Sequence, residues 1–220
     1  MSNLGEPIGV ASVSRYRFVQ RLASGGMAEI YAADTSGVAG VSRRVAVKRV
    51  LRDHLDDDAI LNMFAREARL SVRFQHPNIV QTYDVLEVGG ELYITMELLE
   101  GISLIDLLRV LDGPEPALTV AQSTYVVDRV LAGLHYAHEL LGPDGEPLGI
   151  VHRDVSPHNV FLTLDGNIKL LDFGVAKVSS RTEGDTESGV VKGKVLYMAP
   201  EHCQGGTVDR RADVFSAGVL

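Results

Sequence analysis

The sequence predicts an α+β fold in which a β-rich segment precedes a helix-rich one, with the change near Glu97–Gly101. Three observations predict it. Short β-type runs crowd the stretch from Tyr16 to Glu100. Two of them are separated only by Gly89-Gly90, as in a tight hairpin. After Gly101 the texture becomes helical, and Thr119-x-x-Gln122 has the pattern of a capping box.

The elements follow in chain order. Met1–Ser14 is small, polar and Gly/Pro-containing, lacks the basic-then-apolar layout of an export signal, and is expected as a mobile leader, 1–14. Strands are expected at Tyr16–Leu22, Glu29–Thr35 and Arg43–Val50, the first two joined by Ala23-Ser24-Gly25-Gly26-Met27-Ala28. A helix is expected from Asp57 to Phe74. Asp56, Asp57 and Asp58 favour the positive end of its dipole, and Ile60, Phe64 and Ala68 form an apolar stripe. Two more strands are read at Ile79–Val88 and Glu91–Leu98. The helix opened by Thr119 carries Val127, Val130, Leu131 and Leu134 on one face. Gly142–Pro147 and Leu164–Asn167 are turns. The division expected is a first lobe over 15–98 and a second over 99–220.

Composition narrows the function classes. Of the 220 residues, 45% are hydrophobic, enough for a sizeable core. The net charge of −8 argues against a nucleic-acid or membrane-surface partner, which phosphate fields would repel. Cys203 is the sole cysteine, so no internal disulfide forms, consistent with the cytoplasmic location expected. The apolar runs fall far short of the about 18 residues of a membrane helix.

Several motifs carry chemistry. The Ala23–Ala28 turn between two strands can bring backbone N–H groups onto phosphates, because Gly25 and Gly26 have no Cβ to block them. Val45-Ala46-Val47-Lys48 ends an alternating strand on a lysine. His152-Arg153-Asp154 is followed five residues after the Asp by Asn159, and Asp172-Phe173-Gly174 comes 13 residues after that. Tyr197-Met198-Ala199-Pro200-Glu201 and Asp213 complete the series.

In this order and spacing the motifs resemble the catalytic domain of eukaryotic-like (Hanks-type) bacterial Ser/Thr protein kinases, from Phe18 to Leu220. The resemblance implies a two-lobed kinase fold and transfer of the ATP γ-phosphate, with Mg2+ or Mn2+, to Ser/Thr hydroxyls of proteins. It implies that Ala23, Gly25, Ala28 and Ile30 belong to the phosphate turn, although two glycines of the family's pattern are alanines here. Lys48 would hold the α- and β-phosphates and pair with Glu67. Met96, Glu97 and Leu99 would form the adenine hinge, and Ile30, Ala46 and Phe161 would cover the ring. Asp154 would accept the proton of the substrate hydroxyl, Asn159 and Asp172 would bind the metal, and Asp213 would brace the catalytic loop.

The chain departs from the family in two linked places. Ser156 stands where Ser/Thr kinases carry a lysine, and Lys194 stands where they carry threonine. Lys194 is therefore expected to return the missing cation, a combination that resembles the kinases of myxobacteria. The arginine before Asp154 implies control by a phosphorylated loop residue, with self-phosphorylation expected at Thr186 or Ser188. The resemblance also implies that the chain stops at Leu220 inside the central helix of the second lobe, so that this lobe is truncated. Ser156 and that truncation leave a competing reading, a catalytically weak or inactive nucleotide-binding scaffold.

Overall fold

A computed structural model describes residues 12–24, 28–36, 42–50, 68, 70–114, 116–173 and 195–220. The chain divides into two compact units. Met1–Phe74 and Gln81–Leu99 form the first; Gln75–Val80 and Glu100–Leu220 form the second.

The first unit is built on an antiparallel sheet of six strands. They are β1 (Ser12–Val13), β2 (Tyr16–Ser24), β3 (Ala28–Ser36), β4 (Ser42–Val50), β5 (Thr82–Val88) and β6 (Glu91–Glu97), in spatial order β1-β2-β3-β4-β6-β5. The expected leader thus ends in a strand: β1 pairs with β2, and Val13 is buried because it completes the apolar face of the sheet. That face carries Tyr16, Phe18, Tyr31, Val45, Val47 and Tyr93, with the Phe18 and Tyr31 rings stacked at 5.0 Å. On the other face Ile94 packs against Ala68. Gly89 and Gly90 both have positive φ, 61° and 78°, as the β5–β6 hairpin turn requires.

The expected strand from Ile79 is shorter. Pairing with β6 begins only at Thr82, because Ile79 and Val80 pair with Leu170 of the second unit. Most of the expected helix Asp57–Phe74 lies outside the described residues. Among those described, Ala68, Leu70 and Ser71 are helical and the chain turns at Val72–Arg73, so the helix does not reach Phe74.

The second unit holds a small sheet, β7 (Gly101–Ser103), β8 (Val160–Thr163) and β9 (Ile168–Leu170), in the order β7-β8-β9. Its helices are α1 (Leu104–Val110), α2 (Val120–His138), α3 (Pro200–Cys203) and α4 (Arg210–Val219). Thr119 and Gln122 make the reciprocal capping box at the start of α2. The buried face of α2 is Val126, Val130, Gly133, Leu134 and Ala137. Val127 is only partly buried and Leu131 is exposed, because the helix turns its Val126–Val130–Leu134 row, not Val127–Leu131, onto Val155, Val160 and Leu170.

Candidate active site

In the first unit, strand register fixes which residues share a face. Ile30 pairs with Lys48 and Lys48 with Ile94, while Ala46 lies between Ala32 and Met96. Side chains alternate across a strand, so Ile30, Ala46, Lys48 and Met96 share one face of the sheet. Lys48 is 8% exposed, which places its ammonium stem inside the unit. Ala23 and Ala28 lie at the inner ends of β2 and β3. Glu97 ends β6, donates its backbone N–H to Gln81 O and accepts from Gln81 N–H at 2.7 Å on Oε1. Leu99 closes the unit. Gly25, Glu67, Thr186, Ser188 and Lys194 lie outside the described residues.

The second unit assembles its functional residues around one loop. His152, Asp154, Val155, Ser156 and Asn159 are all buried. Asp213 anchors the loop from α4: Oδ2 accepts the His152 N–H and Oδ1 the Arg153 N–H, each at 2.8 Å. The cap of α4 is Asp209, which leaves Asp213 for this second task. These charge-assisted bonds hold Arg153 at φ +64°, a left-handed conformation that costs about 1–2 kcal/mol outside glycine. His138, at the end of α2, meets Asp213 Oδ2 through Nε2 at 2.7 Å. Sequence reasoning missed this partner, since a lone histidine on a helix gives no signal of it.

Asp154 is oriented from both sides. Its backbone N–H donates to His152 Nδ1 at 3.3 Å, and Asn159 Nδ2 donates to its Oδ2 at 2.7 Å and to its carbonyl at 2.8 Å. With Nδ2 so engaged, Asn159 Oδ1 has no hydrogen-bond partner among the described residues. The segment leading to Asp172 is tied to the same loop. Leu171 N–H donates to Asn159 O at 2.9 Å, and His152 Nε2 donates to Leu171 O at 3.0 Å. The next residue but one, Phe173, lays its ring 4.6 Å from the His152 imidazole. Asp172 itself has φ +38°. Two oxygen-bearing side chains, Asn159 and Asp172, are therefore carried on backbones bonded to each other. Their donor chemistry fits a hard divalent cation.

Ser156 is 1% exposed, and its Oγ has no hydrogen-bond partner among the described residues. It stands before the short 3-10 turn Pro157–Asn159 without capping it through its side chain. Phe161 is half-buried in β8, paired with Ser103 and Lys169. Ala199 and Pro200 open α3, with Glu201 in its first turn.

Comparison with known proteins gives a concordant result. The family model for the protein kinase domain matches residues 16–220. The chain is 44% identical over 204 residues to the tyrosine-protein kinase MasK of Myxococcus xanthus, spanning 93% of this chain and 31% of that protein. It is 32% identical to the serine/threonine-protein kinase PrkC of Bacillus subtilis, over 97% of this chain and 30% of PrkC. It thus spans about a third of the length of these curated relatives. Among solved structures, the PknI kinase domain of Mycobacterium tuberculosis superposes with a TM-score of 0.69 at 30% identity, covering 98% of this chain and 74% of that one. The chain belongs to the protein kinase domain family.

Proposed function

We propose that the chain carries the ATP- and Mg2+-dependent phosphoryl-transfer site of a protein Ser/Thr kinase. The observation that carries this reading is the Asp154 carboxylate, held by Asn159 inside a loop bonded on both sides to Asp213 and Leu171. Phosphoryl transfer demands positioning and charge neutralisation more than covalent chemistry.

In this reading Asp154 Oδ accepts the proton of the substrate hydroxyl, and Asn159 keeps the carboxylate from rotating away. Asn159 Oδ1 and the Asp172 carboxylate hold Mg2+ or Mn2+, whose charge offsets that of the phosphates. Lys48 steadies the α- and β-phosphates and pairs with Glu67. The turn of Ala23, Gly25 and Ala28 offers backbone N–H groups to them. The apolar face of Ile30, Ala46 and Met96 receives the adenine together with Phe161, and the backbone of Glu97 and Leu99 reads its edge. Lys194 supplies the cation that Ser156 lacks, and the unpartnered Ser156 Oγ leaves a hydrogen-bond acceptor for it. Self-phosphorylation falls on Thr186 or Ser188, and the substrate is a protein bearing an acceptor hydroxyl.

The test is transfer of radiolabelled phosphate from ATP to a generic protein substrate. Transfer by the unaltered chain, reduced about 10²–10⁴-fold by Asp154→Asn, supports the proposal. Equal labelling by both would end it. A second reading of the acceptor rests on the 44% identity to MasK, named a tyrosine-protein kinase. Acid hydrolysis of the labelled product separates the two: phosphoserine and phosphothreonine favour the first, phosphotyrosine the second.

A further inference from the structure

On the face of the first sheet away from Lys48, the apolar cluster gives way to a line of polar side chains at the ends of the strands. Arg21 Nη1 on β2 donates to Glu29 Oε1 on β3 at 3.1 Å, and Tyr31 Oη donates to Glu29 Oε2 at 2.7 Å. Arg49 Nη2 on β4 donates to Glu91 Oε1 on β6 at 2.8 Å, and Tyr93 Oη donates to the other oxygen of Glu91. Tyr31, Glu91 and Tyr93 are all buried. Arg49 links the two halves. It lies opposite Glu29 on one side and opposite Tyr93 on the other, and its charge acts on the Glu29 carboxyl. Two guanidinium groups, two carboxylates and two phenols balance one another across four strands.

The location of this ladder gives it a task. The rung Glu29–Arg49–Tyr93 is next to the rung Ile30–Lys48–Ile94. Arg21 and Glu29 lie just outside Ser24 and Ala28, the two strand ends from which the glycine turn springs. The β2–β3 pairing shifts register between Arg21 and Ala23, so backbone pairing alone does not fix the turn's base. Slipping a strand by one residue would move Lys48 to the opposite face. It would also strand the buried carboxylate and phenols of the ladder, which leaves polar groups unpaired in the interior.

We propose that this ladder is a brace for the nucleotide phosphates, with Arg21, Glu29, Arg49 and Glu91 as positioning residues that hold Lys48 and the base of the glycine turn in register. The proposal rests on the nucleotide-binding reading above. It assigns these side chains no contact with ATP. They act through β2, β3 and β4.

The test is competition binding on the full chain, with a fluorescent ATP analogue and Mg2+ displaced by ATP or by adenosine. Arg21→Glu places two carboxylates side by side and is expected to weaken ATP by about fivefold while leaving adenosine unchanged. The exchange Arg21→Glu/Glu29→Arg restores the pair and is expected to return ATP affinity to near that of the unaltered chain. Unchanged ATP affinity in Arg21→Glu overturns the proposal, and so does equal weakening of ATP and adenosine, which would mean a general loss of structure. Failure of the unaltered chain to bind ATP would instead overturn the nucleotide reading itself.

Discussion

Asp213 is a single carboxylate serving three donors from two other parts of its unit, the His152 and Arg153 backbones and the His138 ring. It is 1% exposed, so each donor would be left without water if the acceptor were removed. Asp213→Ala is expected to lower unfolding free energy by about 3 kcal/mol, measured by urea denaturation, and to abolish transfer as Arg153 relaxes from positive φ. The Ser156–Lys194 pair predicts a reciprocal result in a transfer assay. Lys194→Thr should abolish activity, since removing a cation from the transferring phosphate can cost about 10³–10⁵ in rate. Adding Ser156→Lys should restore it, and unchanged activity in Lys194→Thr would refute the pairing. At this scale the motifs were legible because phosphoryl transfer demands particular residue types at fixed spacing. His138 and the buried, unpartnered Ser156 Oγ were not legible, because both depend on packing between segments distant in sequence.

The elements of the first unit respond to acid. Glu29 is held below its ordinary value of 4.5, chiefly by the Tyr31 hydroxyl and then by Arg21, against a smaller effect of burial. Asp34 is held down by Arg44 and, less, by Arg17. A carboxylate depressed in the fold adds stability that is fully present above its unfolded value and fades as pH falls toward the folded one. The first unit should therefore lose stability progressively below about pH 4.5, with Glu29 contributing to the loss. Glu29→Gln should be less stable at neutral pH and should show a flatter profile of denaturation midpoint against pH in that acidic window. An unchanged profile would mean that Glu29 gains nothing from its partners. Strand positions were readable here because one face is apolar and alternation marks it. The start of β5 was not readable, since Ile79 and Val80 have strand-like side chains but a different backbone partner. The α2 face was misread by one position. Its apolar residues occupy adjacent rows, and only contact with Val155 and Leu170 selects Val126 over Val127.

At the scale of the whole molecule, the chain's place among kinases was legible from the order of its motifs, whereas the exchange of a segment between the two units was not. Gln75–Val80 lies between pieces of the first unit in sequence yet packs in the second. Asn78 is the peg. Nδ2 donates to Ile168 O at 2.8 Å, and its carbonyl accepts Leu170 N–H at 2.8 Å. Gly133 in α2 permits the approach, since a Cβ there would come within 3.1 Å of Asn78 O. Asn78→Ala should destabilise the second unit by about 1–3 kcal/mol, read from a chemical-denaturation curve, because Ile168 O would lose its donor in the interior. Incubation with ATP and Mg2+ followed by phosphopeptide mapping should place phosphate on Thr186 or Ser188. Phosphate found only elsewhere would remove that expectation.

The exchanged segment also changes what cutting the chain would do. The backbone passes from one unit to the other three times, after Phe74, after Val80 and after Leu99. A nick beyond Leu99 would therefore yield two pieces that remain interlocked, because the first piece carries the edge that completes β9 of the second. A recombinant piece beginning at Glu100 would lack that edge. A synthetic peptide spanning Gln75–Val80 should then complement it in trans.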